Sequence, residues 1–261
     1  MISISDEQWL ELLLDPQMAR EEMGLDLPGL PPDDIQRSFT SLAGRPNLEQ
    51  ALAFYQYIKS QHPLSEHMRV MDFGAGWGRI ARFFLKDLDR SNLYTVEPAP
   101  NAIELQKQTG LNCRIIHSNP LPPIPDIAGE RFDIIYSFSV FSHLSEDYFT
   151  RWMRYFSEIL SPDGTIVFTT RGRRWLGHIE DTRYKPEVFG DYAEIRRSLD
   201  DQQHLFYRDR PLDSRPLSGE WYGEAFVPRG YLAASHPEFE VIDFKEDHPK
   251  IFQTIATLRP R

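Results

Sequence analysis

The fold is decided by the stretch Val70-Met-Asp-Phe-Gly-Ala-Gly-Trp-Gly-Arg-Ile-Ala81. An apolar run leads into three glycines at alternate positions, Gly74, Gly76 and Gly78, and a helical pattern begins directly afterwards. Glycine allows bare backbone to approach a ligand, and open α/β sheets bind ligands at the carboxyl ends of their strands. The stretch therefore predicts a strand, a ligand-binding loop and a helix in succession.

Short apolar runs alternate with helical patterns around that loop. The predicted strands cover residues 69–73, 92–96, 113–117, 132–138 and 165–170, and the predicted helices cover 79–89, 101–109 and 145–160. Such alternation is typical of βαβ units and a mostly parallel sheet. The last two predicted strands, 239–244 and 251–258, have a connection short enough for an antiparallel pair. The chain is thus predicted to be of the α/β class.

Two segments add to this pattern. Residues 1–60 predict a helical cap, and residues 61–261 the main domain, in which 172–236 interrupt the alternation. We expect residues 172–236 to form a lid over the acceptor, because their aromatic content is too irregular for a self-contained core; a lid packed for its own stability is the alternative. Arginines in and beside this segment make an acceptor with a carboxylate or phosphate possible. They are Arg171, Arg173, Arg174, Arg183, Arg196, Arg197, Arg208, Arg210 and Arg215.

Two acids accompany the glycine loop. Asp72 stands two residues before the first glycine, and Glu97 follows the next predicted strand. A carboxylate at the position of Glu97 can accept hydrogen bonds from both hydroxyls of a ribose. Asp72 can accept from a ligand amine but would repel a pyrophosphate, and Arg79 interrupts the dinucleotide pattern G-x-G-x-x-G. An amine and a ribose without a pyrophosphate indicate S-adenosylmethionine.

These stretches resemble a known family. Residues 70–80 are similar to motif I of the class I S-adenosylmethionine-dependent methyltransferases, residues 94–98 to their second motif and residues 132–144 to their fourth. Residues 160–168 are similar to the family's turn and fifth strand. The resemblance covers residues 65–170 and the final strand pair. It implies a Rossmann-like, seven-stranded, mostly parallel sheet with helices on both faces and an antiparallel last strand.

The resemblance also implies a cofactor site. The methionine part of S-adenosylmethionine is expected against Asp72, Gly74 and Gly76, and its ribose on Glu97. Asn119 could make an amide contact where many members have an Asp for the adenine amino group. The other expected cofactor-binding residues are Ala75, Gly78, Pro98, Ser118 and Ser137. The alternative is that Asp72 and Glu97 are strand-end acids that only tie turns together.

His143 is the candidate catalytic residue. It follows the end of the predicted fourth strand, where the donor methyl and the acceptor should meet, and a neutral imidazole there can remove a hydroxyl proton. The alternative is a histidine at a helix entry that bonds to backbone. We assign no metal site, because a polar helix surface explains residues 200–204. Arg79 could pair with a carboxylate of the cofactor or substrate, but we expect Arg79 and Arg82 on a solvated helix face. Trp77 either packs or leans on the cofactor.

Composition excludes several classes of protein. The chain has 29 basic and 39 acidic side chains, a net charge of −10, so most of its surface would repel nucleic acid. Its single cysteine, Cys113, cannot form an internal disulfide, and no apolar run reaches the roughly 20 residues that span a bilayer. The first residues lack the pattern of a secretory signal, so we expect a cytoplasmic protein without membrane contact. The oligomeric state is left open.

The sequence therefore predicts an enzyme that transfers the methyl group of S-adenosylmethionine to an oxygen or nitrogen of a small-molecule acceptor. Positioning can supply much of the rate, because the sulfonium methyl is already activated and no nucleophilic protein residue is required. Two alternatives stay open. One is a non-catalytic protein that binds the cofactor without turnover, and the less favoured one is a nicotinamide-dependent oxidoreductase.

Overall fold

The computed structural model describes residues 4–208 and 220–261. It contains two compact units, Met1–Ser118 and Asn119–Arg261. The boundary between them follows the third strand, whereas the sequence-based boundary between cap and main domain was placed at residue 60. The assignment of residues 1–60 as a cap and of 172–236 as a lid stays a prediction.

The first unit begins with four helices, followed by three strands and two further helices. The helices are α1 (Asp6–Leu14), α2 (Pro16–Met23), α3 (Asp33–Thr40), α4 (Gly44–Gln61), α5 (Ala81–Phe84) and α6 (Pro100–Gln108). The strands are β1 (Val70–Phe73), β2 (Leu93–Glu97) and β3 (Arg114–His117), and a 3₁₀ turn, Arg90–Asn92, precedes β2. Both neighbouring strand pairs, β1 with β2 and β2 with β3, are parallel.

The second unit begins with a 3₁₀ turn, Pro125–Ile127, and contains the other strands. These are β4 (Phe132–Ser137), β5 (Leu160–Thr170), β6 (Leu205–Arg208), β7 (Gly223–Phe226), β8 (Phe239–Lys245) and β9 (Thr254–Pro260). Its helices are α7 (Glu146–Ile159), α8 (Arg173–Thr182), α9 (Pro186–Phe189), α10 (Tyr192–Asp200) and α11 (Arg229–Ser235). Strands β4 and β5 are parallel, whereas β9 runs antiparallel to both β5 and β8.

Across the part of the chain that the structure describes, seven strands form one sheet in the order β3-β2-β1-β4-β5-β9-β8. The predicted fold class is therefore confirmed, including the antiparallel closing pair. Strands β6 and β7 form a separate two-stranded antiparallel sheet. In residues 4–208 and 220–261, no helix is long and apolar enough to cross a membrane, and no group of three or more His, Cys, Asp or Glu could hold a metal ion.

The helices at the start of the chain pack onto the first unit's own core. The indole of Trp9 in α1 donates a hydrogen bond to the Arg82 carbonyl at 3.0 Å. The ring of Tyr55 in α4 packs against Phe83 and Phe84 of α5, at centroid distances of 5.7 and 5.1 Å. These contacts bury apolar faces that short helices cannot bury alone.

The helix predicted over residues 79–89 is largely replaced by turns. Only α5 is α-helical there, and the amides of Phe83, Lys86 and Asp87 bond to carbonyls three residues earlier, as in 3₁₀ turns. The prediction that residues 172–236 lack a core of their own is also wrong. A buried cluster there contains Leu176, Ile179, Phe189, Ile195, Leu199 and Phe226. Residues 209–219, including Arg210 and Arg215, lie outside the described residues.

Candidate functional site

The glycine loop follows β1 in the first unit. Gly76 and Gly78 have φ values of 55° and 78°, in the left-handed region that side chains with a Cβ avoid. A Cβ on Gly78 would stand 2.3 Å from Cδ2 of Leu111, so a larger residue here would require the Leu111 side chain to shift. The expected cofactor contact at Gly78 stays a prediction, and the structure adds a second reason for this glycine.

The loop amides are bound to β2. The Gly74 and Ala75 amides donate to the Val96 carbonyl at 2.8 and 3.3 Å. The Gly76 amide donates to Oε2 of Glu97 at 2.8 Å. The backbone of the loop is thereby fixed against the carboxyl end of the neighbouring strand, where a ligand of an α/β sheet would lie.

Glu97 is the residue that holds this arrangement together. Its side chain is buried, and Oε1 accepts a second hydrogen bond, from the Ala99 amide, at 2.9 Å. Burial raises the pKa of the Glu97 carboxyl, and the bonds from the Ala99 and Gly76 amides oppose that rise. Each carboxylate oxygen keeps a further lone pair. Tying the loop and accepting from a ribose hydroxyl are therefore compatible roles for Glu97.

The residues that follow β2 and β3 lie beside Glu97. The Ser118 amide donates to the Glu97 carbonyl at 3.1 Å, and the His117 ring donates from Nε2 to the Pro98 carbonyl at 3.2 Å. Among the described residues, the buried Ser118 Oγ has no hydrogen-bond partner. A buried hydroxyl without a partner is uncommon, and a polar ligand at this edge would satisfy it.

Asp72 lies on β1, next to β2, and only 2% of it is exposed. The structure thus brings Asp72, the glycine loop, Glu97, Pro98 and Ser118 to the carboxyl edge of β1–β3. A buried carboxylate, an acceptor at the end of the neighbouring strand and the unpartnered Ser118 hydroxyl fit a ligand with an amine and a ribose.

Arg79 and Arg82 are buried, so their prediction as a solvated helix face is wrong. Arg79 Nη1 donates to Asn47 Oδ1 at 3.0 Å and to Gln50 Oε1 at 2.9 Å, which ties the loop to α4. Arg82 Nη1 donates to the Trp77 and Gly78 carbonyls at 2.6 and 2.7 Å. Burial lowers the pKa of Arg79 to about 10 and that of Arg82 to about 9, and both stay charged at neutral pH.

Trp77 is buried too, with the Arg82 guanidinium 4.6 Å from its ring centroid. This favours the packing alternative that the sequence left open. Cation–π contact of this kind stabilises a loop without involving a ligand. Sequence reasoning missed the anchoring role of Arg79 and Arg82, because charged side chains with helical spacing are more often solvated.

The second unit contains the other predicted site residues. Ser137 is buried at the end of β4, and Asn119 is exposed. Beyond Ser137 the chain turns at Ser139, whose φ is 61° and whose amide donates to Thr169 Oγ1 at 2.7 Å. Gln253 Nε2 donates to Ser139 Oγ at 2.9 Å. These bonds hold the carboxyl end of β4 to β5 and β9.

His143 follows this turn and is half-buried. Its Nδ1 lies 2.6 Å from the Gly223 carbonyl. A carbonyl can only accept, so Nδ1 carries the hydrogen and donates, and the lone pair is on Nε2. The ring stacks on Tyr222, with centroids 4.9 Å apart and planes 10° apart. Burial, with a contribution from Arg171, lowers the pKa of His143 to about 4. His143 is thus bonded to backbone, as the non-catalytic alternative expected. Its ring is also neutral, and Nε2 can accept a proton.

A buried ion pair lies next to His143, and sequence reasoning did not single it out. Arg171 pairs with Glu224, and Lys185 Nζ contacts the other Glu224 oxygen at 2.7 Å. Burial alone would raise the pKa of Glu224, but Arg171, His143 and Lys185 together outweigh it, so the net pKa is lowered. The signal in the sequence is a lone acid within the aromatic run Trp221-Tyr-Gly-Glu-Ala-Phe226.

Four of the seven arginines around the insertion that the structure describes pair with acids, Arg171 among them. Arg173 lies 2.6 Å from Asp200, and Arg197 lies 3.8 Å from Asp191. Arg196 pairs with Glu180. Within the described residues, neighbouring carboxylates therefore balance part of the local basic excess expected from the sequence, and these four arginines already have anionic partners.

Residues 71–166 match a family model described as a methyltransferase domain. The match spans β1 through most of β5, including the glycine loop and Glu97. The match covers 96 of the chain's 261 residues, and this segment is similar to a methyltransferase domain, in agreement with the resemblance to the class I S-adenosylmethionine-dependent methyltransferases. The order of the strands in the sheet and the position of the glycine loop agree with this similarity.

Two curated relatives are only distantly similar to this chain. A malonyl-[acyl-carrier protein] O-methyltransferase of Halorhodospira halophila is 24% identical over 205 residues, which are 74% of this chain and 64% of that protein. A cyclopropane-fatty-acyl-phospholipid synthase of Escherichia coli is 27% identical over 130 residues, 49% of this chain and 33% of that protein. The matched parts are thus less than two thirds of either relative's length.

A solved structure, the complex of DhpI with SAH, covers 98% of this chain and 98% of its own, with a TM-score of 0.55 and 15% identity. At that identity the likeness concerns the fold alone. It extends to the whole chain length and includes the segments on either side of the matched family domain.

Proposed function

We propose that the protein transfers the methyl group of S-adenosylmethionine to an oxygen or nitrogen of a small-molecule acceptor. The proposal rests on the surroundings of Glu97. Its two carboxylate oxygens accept hydrogen bonds from the Gly76 and Ala99 amides, and the unpartnered Ser118 hydroxyl lies at the same edge of the sheet. This is an edge built around one buried carboxylate, next to which Asp72 supplies a second. The match of residues 71–166 to a methyltransferase domain supports the same cofactor.

The bound cofactor would supply a methyl group activated by a sulfonium, ready for in-line displacement by the acceptor. The protein's own residues then have to position the two reactants and exclude water. Asp72 would hold the cofactor amine, Glu97 its ribose, and Ser118 would complete the polar edge. If the acceptor is a hydroxyl, Nε2 of His143 would receive its proton.

The hydrogen bonds of the loop disfavour the nicotinamide alternative. A pyrophosphate site needs loop amides that point at the ligand. Here the amides of Gly74 and Ala75 are used by Val96, that of Gly76 by Glu97 and that of Gly78 by Ala75. A loop with these amides occupied suits a ligand without a pyrophosphate.

The proposed acceptor is a small organic molecule that offers an oxygen or a nitrogen. One of the relatives is a malonyl-[acyl-carrier protein] O-methyltransferase, which agrees with an oxygen acceptor. Residues 172–236 would cover the acceptor as a lid. Their apolar cluster gives this segment internal support, and rings such as the exposed Tyr184 are suited to an organic molecule.

The test is a methyl-transfer assay with radiolabelled S-adenosylmethionine and a panel of hydroxyl, carboxyl and amine acceptors. Labelled product, formed by the parent chain and lost with Asp72→Ala, supports the proposal. Binding of S-adenosylhomocysteine without product from any acceptor favours the non-catalytic alternative. Tight binding of a nicotinamide cofactor instead would contradict both.

A further inference from the structure

The ring of Phe39, on α3, lies against the glycine loop. Its Cδ1 and Cε1 atoms are 3.3 and 3.6 Å from the point that a Cβ on Gly76 would occupy. Even so, 40% of Phe39 is exposed, which makes it one of the exposed large apolar residues of the described chain. An exposed aromatic ring is therefore in place directly beside the loop on which a ligand would lie.

The position of Phe39 is fixed by buried hydrogen bonds. Gln36, one helical turn before it, accepts through Oε1 from the Gly44 amide at 3.0 Å and from Asn47 Nδ2 at 3.1 Å. Asn47 Oδ1 in turn accepts from Arg79, which directly follows Gly78. Gln36, Asn47 and Arg79 are all buried. A buried, satisfied network of this kind holds its members in one arrangement, so α3 and the glycine loop are coupled through it.

Exposure of a single apolar side chain is ordinary and by itself indicates nothing. Phe39 differs because its ring lies against Gly76 of the glycine loop. The backbone of Gly76 is held in place there, since its carbonyl accepts a hydrogen bond from Gln106 Nε2 at 2.6 Å. A molecule that lies on the side of Gly76 where a Cβ would stand would also meet the Phe39 ring. Contact with that ring would remove water from both surfaces.

We propose that Phe39 covers the S-adenosylmethionine bound at the Gly74–Gly78 loop and makes α3 an element that retains the cofactor. The inference rests on the proposed function for the identity of the ligand. Phe39 is then a positioning residue of the chain's own N-terminal helices, outside the matched family domain of residues 71–166.

The experiment compares three variants of the full chain with the parent, using S-adenosylhomocysteine as the probe in the absence of any acceptor. Phe39→Ala removes the ring and Phe39→Leu keeps an apolar side chain. Met23→Ala is the matched control, because Met23 on α2 in the same unit is 38% exposed. Calorimetry gives the dissociation constant, stopped-flow fluorescence the dissociation rate, and thermal unfolding the stability of the ligand-free chain.

We expect Phe39→Ala to weaken binding about tenfold, or about 1.4 kcal/mol, mainly through faster dissociation. Phe39→Leu should lose only part of this affinity, and Met23→Ala none. The ligand-free melting temperature of Phe39→Leu should match that of the parent, because the exposed ring contributes little to the core.

Unchanged affinity in Phe39→Ala, with a parent chain that binds, would overturn this inference and leave the proposed function intact. An equal loss in Met23→Ala would overturn it as well, since the effect would not be local to the loop. A parent chain that does not bind S-adenosylhomocysteine would overturn the proposed function itself.

Discussion

The Gly76 amide donates a hydrogen bond to Oε2 of Glu97 across 21 residues of chain, at 2.8 Å. The acid expected to bind a ribose therefore also sets the shape of the loop expected to meet the methionine part. A substitution of Glu97 therefore changes both the expected ribose contact and the shape of the glycine loop. Variants of this residue have to be judged by stability and by binding together.

Glu97→Ala should weaken S-adenosylhomocysteine binding by about 1.5–3 kcal/mol and also lower the free energy of unfolding, because the Gly76 and Ala99 amides lose their acceptor. Glu97→Gln keeps one acceptor oxygen and should lose less of both. Calorimetry and urea unfolding measure the two effects, with Glu104→Ala on the exposed side of α6 as the control. Normal affinity in Glu97→Ala would contradict the ribose assignment.

Gly78→Ala should destabilise the first unit by about 2–4 kcal/mol, since a left-handed backbone and a clash with Leu111 add together. Gly110→Ala is the matched control. Gly110 has nearly the same φ, 76° against 78°, but nothing lies within 4 Å of its Cβ position. It should lose only about 1–2 kcal/mol. Equal losses in chemical unfolding would show that Leu111 moves aside without cost.

Glu224→Gln should destabilise the second unit by about 3–5 kcal/mol, because Arg171 would remain buried without its counter-charge. The exposed pair of Arg196 with Glu180 provides the comparison. Glu180→Gln should change the free energy of unfolding by less than about 1 kcal/mol. If both variants lose equally little, Arg171 has another source of compensation.

Protease cleavage of the ligand-free chain should fall within residues 172–236, and S-adenosylmethionine together with an acceptor should slow it. The physical reason is that a lid opens to admit the acceptor and is ordered when both ligands are bound. Mass spectrometry of the fragments at successive times locates the cuts. The same cleavage rate with and without ligands would argue that the segment packs only for its own stability.

The positions of the strands along the chain and the glycine loop could be predicted from the sequence because their signals are local, whereas the seven-stranded sheet was implied by the family resemblance. Alternating apolar runs and three glycines within five residues specify β1 and its turn without help from distant contacts. Glu97 was also accessible, since its place at the end of β2 follows from the same alternation. Its bond to the Gly76 amide is consistent with that placement.

The burial of Arg79 and the position of Phe39 could not be predicted in this way. Arg79 bonds to Asn47, 32 residues earlier in the chain, and only the packing of α4 decides that its charge is enclosed. Phe39 belongs to a short helix with a polar face, where one aromatic ring gives no signal. The pairing of Arg171 with Glu224 depends in the same way on how the insertion returns to β5.

His143 gives the prediction that connects pH with catalysis. With a pKa of about 4, its ring is neutral across the range from pH 6 to 8. If Nε2 of His143 takes the proton from the hydroxyl of the acceptor, protonation of His143 should not change the rate of the parent enzyme above pH 6. The rate should fall only near pH 4–5, where the ring becomes protonated. A rise through the usual histidine range near 6.5, as unperturbed imidazole would give, is not expected. His143→Ala should lower kcat by about 10²–10⁴-fold with cofactor affinity unchanged, whereas His67→Ala on the exposed surface should lower neither.

The same lowered pKa links His143 to stability. Between pH 6.5 and 4 the unfolded chain binds a proton at this histidine that the folded chain does not. The free energy of unfolding should therefore fall as the pH decreases through that window, by at most about 1.4 kcal/mol per pH unit and by less where water reaches the ring. His143→Ala should remove this part of the slope in urea titrations at pH 7.5 and 5. A variant that keeps the parent's slope and loses less than about tenfold in kcat would reject a proton-accepting role. It would leave positioning alone to drive the transfer.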